Sequence, residues 1–520
     1  MSKKNKGILA TTAIVAAMTL GFKLLGFVKQ AVVAYYFGTT FETDIYNLAF
    51  TFVGTLTSAF VRAISISMVS IYTHTLVQKG KEAASRLICA CMEFMLPIAP
   101  VILLFTYMFT PLIAKMLAPS YSPEESILLQ HYLRICYPFF VFSIFTMVGT
   151  SLMDSNKDFV ISRTESFFTS SITILCCVLL YSTQAVTSLV IAQYLSYILF
   201  SSLLIFRGRR YVHYSFVKFR DVPELKVILA AALPVFIGNS VFQINKIVDG
   251  SISSGLGAGN ASALAYAVVL EDLVVNVIVN NVVDILYVNF SNFAAEGNVQ
   301  KLSNTMKSAV RAMICLMTPI TIITCLCSKE IVSIVFLRGE FNQKSLIMTS
   351  AALIGYAVGF ISSGVRDIAS RALYAFKDTK GPMITGFFAV AANVFFSILL
   401  SRFIGIMGVA IASSVSLTVN FIINSLMLRK YVPDYSLIDL IPVLLKQVPG
   451  SIVLVILIIF IKNMFNNNFL IFCISAPIGL IVYAIILTLM KIDEVNLLKT
   501  KLISKIKKCL RHFNSPAPHS

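Results

Sequence analysis

Charged side chains lie inside long apolar segments of this 520-residue chain, and these positions are where its chemistry is expected. Lys23 and Lys29 are six residues apart in one segment, with no acid close to them in sequence. Arg62 and Lys246 lie in two other segments. A charge inside a membrane-spanning helix costs at least about 2.5–3.5 kcal/mol, so it usually faces water or a partner. These four cations are therefore candidates for binding an anionic group.

Acidic and further basic candidates lie in the same kind of segment. They are Asp44, Asp249, Glu271, Asp272 and Arg366. One later segment repeats a polar residue every four positions, which predicts a slowly winding polar face: Asp272, Asn276, Asn280 and Asp284. Together these residues indicate a hydrated cavity that holds a charged headgroup. The alternative is structural: Lys246 pairs with Asp249 or Asp272, and Asp44 caps a helix.

The apolar segments are long enough to cross a membrane. The chain is 57% hydrophobic and 13% charged, with a mean hydropathy of +0.84. Soluble domains are about 45–50% apolar and about 25% charged. The first block carries Lys23 and Lys29 and is too long for a cleavable signal, so it is interpreted as a retained helix. We predict an all-α polytopic membrane protein with about fourteen spanning helices, at 8–36, 43–73, 84–116, 126–154, 159–182, 185–207, 226–254, 261–292, 303–336, 345–375, 382–402, 405–429, 447–463 and 468–490.

The distribution of Lys and Arg predicts the orientation. Basic and base-free loops alternate along the chain, with a weak point only at 329–344. The basic loops are expected to be cytoplasmic, which places both termini on the cytoplasmic side of a bacterial inner membrane. The formal net charge of +18 is then explained by short cytoplasmic loops that meet anionic lipids. No basic domain with interleaved aromatic residues is present in the sequence, so nucleic acid is not an expected partner.

The sequence favours transport over catalysis. It contains no H-E-x-x-H pair and no phosphate-binding G-x-x-x-x-G-K-[ST] loop, so no metal, cofactor or ATPase of its own is expected. No stretch outside the predicted helices is long enough to fold as a catalytic domain. The prediction is that the protein is not an enzyme and has no catalytic residues. A coupling ion or the membrane potential is left as the energy source.

The chain resembles itself at an offset of about 220 residues. Tyr36–Gly38 corresponds to Gly255–Gly257, and the Pro97 region corresponds to the Pro319 region. Each copy holds six predicted helices, an even number, so the copies share one orientation, as in transporters built from parallel repeats. The predicted organisation is an N-lobe at 1–215, a C-lobe at 216–432, two extra helices at 433–492 and a basic cytoplasmic tail at 493–520.

Three motifs resemble the MurJ (MviN) lipid II flippase family of the multidrug/oligosaccharidyl-lipid/polysaccharide exporter superfamily. The first spans Lys23 to Asp44 and includes Gly26 and Gly38. The second is Phe336-Leu337-Arg338-Gly339-Glu340-Phe341. The third and most specific is similar to R-x-x-Y-x-x-x-D-T-x-x-P, and its residues are Arg371, Tyr374, Asp378 and Pro382.

The resemblance implies a flippase that moves the undecaprenyl-diphosphate-linked peptidoglycan precursor to the outer leaflet by alternating access. It implies that Lys23 and Lys29 bind the diphosphate, with Asp44 as the acid of the second helix. It implies a groove for the lipid tail near the last two helices. Membrane lipids and cell-wall synthesis or division proteins are the other expected partners.

The chain departs from the family at three places. Lysines replace the arginines that the family usually has in the first helix, so the planar fork that grips phosphate is lost. A basic residue expected near Thr57 is missing, and Arg62 follows it. The eighth segment has Glu271 and Asp272 without the expected basic residue. Alternatives are therefore a flippase for another polyprenyl-linked oligosaccharide of the capsule, teichoic or O-antigen type, a MATE-like drug exchanger, and a scaffold for cell-wall enzymes.

Overall fold

The structure is a computed structural model that describes residues 3–218 and 221–490. Every regular element in these ranges is helical. The nineteen α-helices are α1 Lys3–Phe37, α2 Phe41–Met108, α3 Thr110–Leu117, α4 Pro123–Cys136, α5 Phe139–Ser155, α6 Phe159–Ser162, α7 Glu165–Gln184, α8 Thr187–Gly208, α9 Pro223–Ser254, α10 Asn260–Val274, α11 Asn280–Ala295, α12 Val299–Leu326, α13 Ser328–Phe336, α14 Gln343–Ala357, α15 Phe360–Ala375, α16 Lys380–Ile404, α17 Ile406–Leu428, α18 Ile441–Met464 and α19 Asn468–Leu489. A π-helical turn, Val275–Val279, joins α10 to α11, and a 3-10 turn, Leu437–Leu440, precedes α18. The basic tail at 493–520 lies outside the described residues.

The described chain has ten to eleven helical stretches that could span a membrane, against about fourteen predicted. Ten helical stretches are long and apolar enough to cross a membrane, and the bent pair α14–α15 makes an eleventh. The 68-residue α2 contains two of the predicted spans, because the backbone at Gly80 leaves the helical conformation (φ 83°). The helices α1 and α9, of 35 and 32 residues, also exceed the roughly 20 residues that a span needs. The described helices are thus roughly consistent with the predicted fourteen.

Several predicted helices are broken where the sequence predicted one continuous segment. The predicted 126–154 segment divides into α4 and α5 at Tyr137 and Pro138. The predicted 303–336 segment divides at Cys327, and α14 meets α15 at an angle of 42°. Proline lacks the N–H that a helix interior requires, which accounts for the first break. A π-helical turn interrupts the predicted 261–292 segment, and the side chains of Asn276 and Asn280, two members of the predicted polar face, stay adjacent across it with a hydrogen bond of 2.9 Å.

The helices form two compact units. The first unit contains the residues up to Val269 together with Phe336–Thr349. In this unit, α2 packs against α5 and α9, and α7 packs against α1 and α8. Its core holds buried aliphatic and aromatic side chains of α2 and α5 such as Met68, Leu87 and Ile144. The second half of α2 ends at Met108, and Phe109 separates it from α3.

The second unit contains Leu270–Val335 and the residues from Ser350 onwards. Here α15 packs against α11, α12 and α17, and α16 packs along α17. The two last helices, α18 and α19, pack against each other and both contact α12. Small buried residues such as Gly408 let α16 and α17 approach closely, since a Cβ at Gly408 would overlap the backbone of Leu400.

The internal repeat is visible in the backbone. Four residues with positive φ in the first half of the sequence have counterparts with positive φ about 220 residues later. The pairs are Gly38 with Gly257, Gly80 with Gly297, Lys157 with Lys377, and Ala185 with Gly405. Lys157 and Lys377 occupy the same kind of turn, at the ends of α5 and α15, with φ near 60° in both. The left-handed conformation is costly for residues other than glycine, so this coincidence supports the predicted six-helix repeat.

Candidate substrate-binding site

The first unit carries the four candidate cations on three helices. Lys23 and Lys29 lie on α1, Arg62 on α2 and Lys246 on α9. Lys29 is partly buried and the other three are exposed. Among the described residues of this unit, Lys23, Lys29 and Arg62 form no ion pair with a carboxylate. Asp249 is buried and makes a polar or electrostatic contact, so its pairing with Lys246 stays a prediction. The charges of Lys23, Lys29 and Arg62 are thus available to water or to an anionic ligand.

Asp44 has a different environment. Its side chain is buried and accepts hydrogen bonds from the backbone N–H groups of Gly259 (2.6 Å) and Ser262 (2.7 Å). These N–H groups lie at the start of α10 and have no partner within that helix. A carboxylate is favoured there by the helix dipole as well. The geometry is that of a helix cap, the alternative considered from the sequence, and a role in headgroup binding stays a prediction.

Two motif glycines meet in the first unit. Gly38 and Gly339 both have positive φ, of 54° and 57°. A Cβ on Gly38 would overlap the backbone carbonyl of Glu340, and one on Gly339 would overlap that of Tyr35. The N–H of Glu340 donates to the carbonyl oxygen of Tyr35 (2.9 Å). We call the contact of Tyr35–Thr39 with Phe336–Ser345 the glycine junction. Only glycine fits at its two central positions.

Further contacts hold the glycine junction in place. The hydroxyl of Tyr266 donates to the carbonyl oxygen of Gly38 (3.1 Å), and its ring packs between those of Phe336 and Phe341. The hydroxyls of Thr39 and Ser345 share a hydrogen bond of 2.7 Å. The first and second sequence motifs, about 300 residues apart, are therefore two sides of one structural contact. Gly26, the other glycine of the first motif, packs near Ser166 and Ser170 of α7.

The second unit holds the other charged candidates. Glu271 and Asp272 lie near the end of α10, just before the π-helical turn, and both make polar or electrostatic contacts. Arg366 of α15 pairs with Asp367 at 3.1 Å. Its Nε is buried and has no hydrogen-bond partner among the described residues. This unsatisfied N–H is available to an acceptor on a ligand.

The third motif is a structural element of the second unit. Arg371 pairs with Asp284 (3.3 Å) and lies over the ring of Tyr287. Asp378 accepts a hydrogen bond from the N–H of Gly381 (2.8 Å), in the first turn of α16. Pro382 is buried in the same turn, where its missing N–H costs nothing. The partly buried Tyr374 precedes the turn.

Two features were missed from the sequence. One is an ion pair between Lys462 of α18 and the buried Glu330 of α13 (2.8 Å). The other is a cavity of about 180 Å³ in the first unit, bordered by Glu165 and Thr57. Glu165 is the one acid in the predicted 159–182 segment, and this isolation was the signal that could have identified it. Among the described residues, no group of three or more His, Cys, Asp or Glu side chains could hold a metal ion.

The fold is shared with solved membrane transporters. One is "Lipid II flippase MurJ, inward closed conformation", with a TM-score of 0.77 and 22% identity, covering 91% of this chain and 98% of that one. Another is an inward-facing multidrug resistance MATE family transporter of the MOP superfamily, with a TM-score of 0.68 and 16% identity, covering 82% and 100%. The helices and the repeat thus define a polytopic membrane protein with a transporter fold.

The sequence comparisons give the family. The family model described as "Lipid II flippase MurJ" matches residues 33–479. The chain belongs to this family. The probable lipid II flippase MurJ of Rickettsia prowazekii is 25% identical over 416 residues, covering 78% of this chain and 80% of the relative. The probable lipid II flippase MurJ of Rhizobium tropici is 24% identical over 415 residues, covering 77% of each chain.

Proposed function

We propose that the protein carries lipid II from the cytoplasmic to the outer leaflet of a bacterial inner membrane, with both termini in the cytoplasm. The observation that carries the proposal is the match of the family model over residues 33–479. In this role the protein is a transporter without a chemical reaction of its own. It acts by alternating access on a lipid-linked precursor, and cell-wall synthesis proteins are its candidate partners.

The unpaired cations support this cargo. A lipid diphosphate carries negative charge into a region where water is scarce, so it requires positive partners. Lys23 and Lys29 lie on one helix, six residues or about 1.7 turns apart, and neither is neutralised by a carboxylate of its unit. We assign the binding of the diphosphate to Lys23 and Lys29, with Arg62 and Lys246 as further partners of the anion. Arg366 offers a buried N–H in the second unit.

The test is complementation in cells depleted of their own lipid II flippase, with accumulation of unflipped lipid II as the readout. The wild-type chain is expected to restore growth and lower that accumulation. The Lys23→Ala/Lys29→Ala double variant is expected to fail, although it reaches the membrane. Lys81→Ala/Lys226→Ala is the matched control, since both lysines are exposed, Lys81 lies outside the apolar segments and Lys226 lies at the first residue of one. Rescue by the Lys23/Lys29 variant at the wild-type level would disprove their role.

A second cargo class is favoured by one observation. Glu271 and Asp272 stand where the resemblance expects a basic residue, which weakens the case for the usual headgroup. A different polyprenyl-diphosphate oligosaccharide would use the same lysines and a different sugar contact. Failure of the wild-type chain to rescue, with the protein present in the membrane, together with transport of such a glycan in vesicles, would establish this alternative.

A further inference from the structure

The cavity of about 180 Å³ in the first unit combines apolar walls with a carboxylate, a phenol and five hydroxyl side chains. Its walls come from α2, α5, α7 and α8. Its polar lining is the carboxylate of Glu165, the phenol of Tyr197 and hydroxyl groups of α2 and α5, and apolar side chains such as Val53 and Met147 line the rest. None of the described residues on its lining is Lys, Arg or His. The cavity therefore holds a negative group without a fixed positive one.

The hydroxyl groups are oriented as acceptors. Ser58, Ser143, Thr146 and Thr150 each donate to a carbonyl oxygen of their own helix, at 2.6 to 3.1 Å. Their hydrogens are thereby used, and their oxygen lone pairs stay free for a ligand. The buried hydroxyl oxygen of Thr57 has no hydrogen-bond partner among the described residues. A buried polar atom without a partner is unfavourable, so a missing ligand is indicated.

Glu165 has no neutralising partner. Its carboxylate forms no ion pair or hydrogen bond with another described side chain of the first unit, although the residue is partly buried. An ionised carboxylate removed from water is strongly unfavourable unless it is paired or binds a metal ion. The available partners in the cavity are oxygens, which cannot supply positive charge.

We propose that this cavity binds a monovalent alkali cation, such as Na⁺, between the Glu165 carboxylate and the hydroxyl oxygens of α2 and α5. Carboxylate, hydroxyl and water oxygens are the ligands that hard cations prefer. A single carboxylate balances one positive charge and leaves a divalent ion uncompensated. The cavity of about 180 Å³ has room for water beside the ion, so the ion keeps part of its hydration shell. The site does not depend on which lipid the protein carries.

The test is thermal unfolding of the purified full-length chain in detergent. The chain has no Trp but ten Cys, and eight of the nine described thiols are buried or partly buried, so a thiol-reactive dye reports unfolding. Melting temperatures are compared in NaCl, in KCl and in N-methyl-D-glucamine chloride at equal ionic strength. A bound cation raises the melting temperature by an amount that grows with the logarithm of one plus the ratio of the cation concentration to its Kd, because it binds the folded state only.

The expected result is a cation-dependent rise of the melting temperature in the wild type and in Glu296→Gln, which alters an exposed acid of the second unit. Glu165→Gln is expected to abolish the rise. Thr57→Val, which removes a hydroxyl that holds no hydrogen bond, is expected to weaken Na⁺ binding about three- to tenfold while the protein stays folded. The proposal is overturned if the melting temperature rises equally in Glu165→Gln, or equally in N-methyl-D-glucamine chloride. Unchanged Na⁺ binding in Thr57→Val also overturns it. So does a wild-type chain that is stabilised by lowering the pH and does not respond to alkali cations.

Discussion

Tyr431 donates a hydrogen bond from its phenol to a carboxylate oxygen of Asp378, at 3.1 Å. About 220 residues earlier, Tyr211 makes the same contact with Asp158, at 3.4 Å, and the side chain of Arg207 also reaches that carboxylate. Both aspartates directly follow a lysine with positive φ. The same side-chain contact therefore fixes the same turn in both halves of the sequence.

Asp378 is expected to stabilise the start of α16. Asp378→Ala removes the acceptor of the Gly381 N–H and of the Tyr431 hydroxyl, and we expect a loss of about 1–2 kcal/mol, typical of a lost cap. Tyr431→Phe removes one of these bonds only and should lower the melting temperature less. Thermal unfolding with a thiol-reactive dye measures both. Equal melting temperatures for Asp378→Ala and the wild type would contradict the capping role.

Even an isosteric substitution of Asp44 is expected to destabilise the protein. Asp44→Asn places an NH₂ group against one of two backbone N–H donors, so a buried donor loses its acceptor at a cost of about 1–3 kcal/mol. Glu42→Gln, an exposed acid in the same first turn of α2, is the control and should change little. The melting temperature and the amount of protein in the membrane are the measurements. A larger effect of Glu42→Gln would show that surface charge, and not the cap, matters.

Adding a single methyl group at the glycine junction is expected to destabilise the protein. Gly339→Ala forces a left-handed conformation that costs about 1–2 kcal/mol, and its Cβ also overlaps the carbonyl of Tyr35. We expect reduced protein in the membrane and a lower melting temperature. Gly21→Ala adds a methyl group in α1 where nothing lies within 4 Å, and it should be neutral or slightly stabilising. If the two variants behave alike, the junction is not as tight as described.

Replacing lysine by arginine separates charge from shape in the proposed headgroup site. Lys23→Arg/Lys29→Arg keeps both charges and adds a planar fork that binds phosphate with two hydrogen bonds. Rescue of flippase-depleted cells is expected to equal or exceed that of the wild type at low expression. If the arginine variant fails as fully as the alanine variant, positive charge alone does not explain the role of these positions.

The Lys79–Glu224 ion pair is expected to make the stability of the protein depend on pH. The hydrogen bond from Lys79 lowers the pKa of the Glu224 carboxyl, which lies in the first turn of α9, ahead of the predicted span 226–254. The stabilisation that the ion pair gives is present above the ordinary pKa of a free Glu. It is lost as the pH falls through the lowered pKa of Glu224. Because Lys79 is exposed, we expect Glu224→Gln to cost no more than about 0.5 kcal/mol at pH 7. The difference in melting temperature should shrink below pH 4.5 and at high salt, and a constant difference would exclude the pair as its cause.

The fold was largely predictable, because apolar length and loop charge are local properties of the sequence. The repeat was also predictable, since turn residues such as Gly38 and Gly257 are recognisable one by one. The partner of Asp44 was not, because it lies 215 residues away and is a backbone N–H that has no sequence signature. The same applies to the cavity of the first unit: Ser58 and Thr150 are ordinary residues in sequence, and only packing places them on one cavity with Glu165.

The shared positive-φ positions bear on the ancestry of the chain. At three of the four pairs the residue is the same in both halves, and one of these pairs is lysine, for which the left-handed conformation is unfavourable; only Ala185 with Gly405 differs. Backbone torsion and residue type are thus retained together at these turns, as expected if a half-length gene was duplicated and fused. A search for further descendants of that ancestor should compare where chains turn left-handed together with the residues found there.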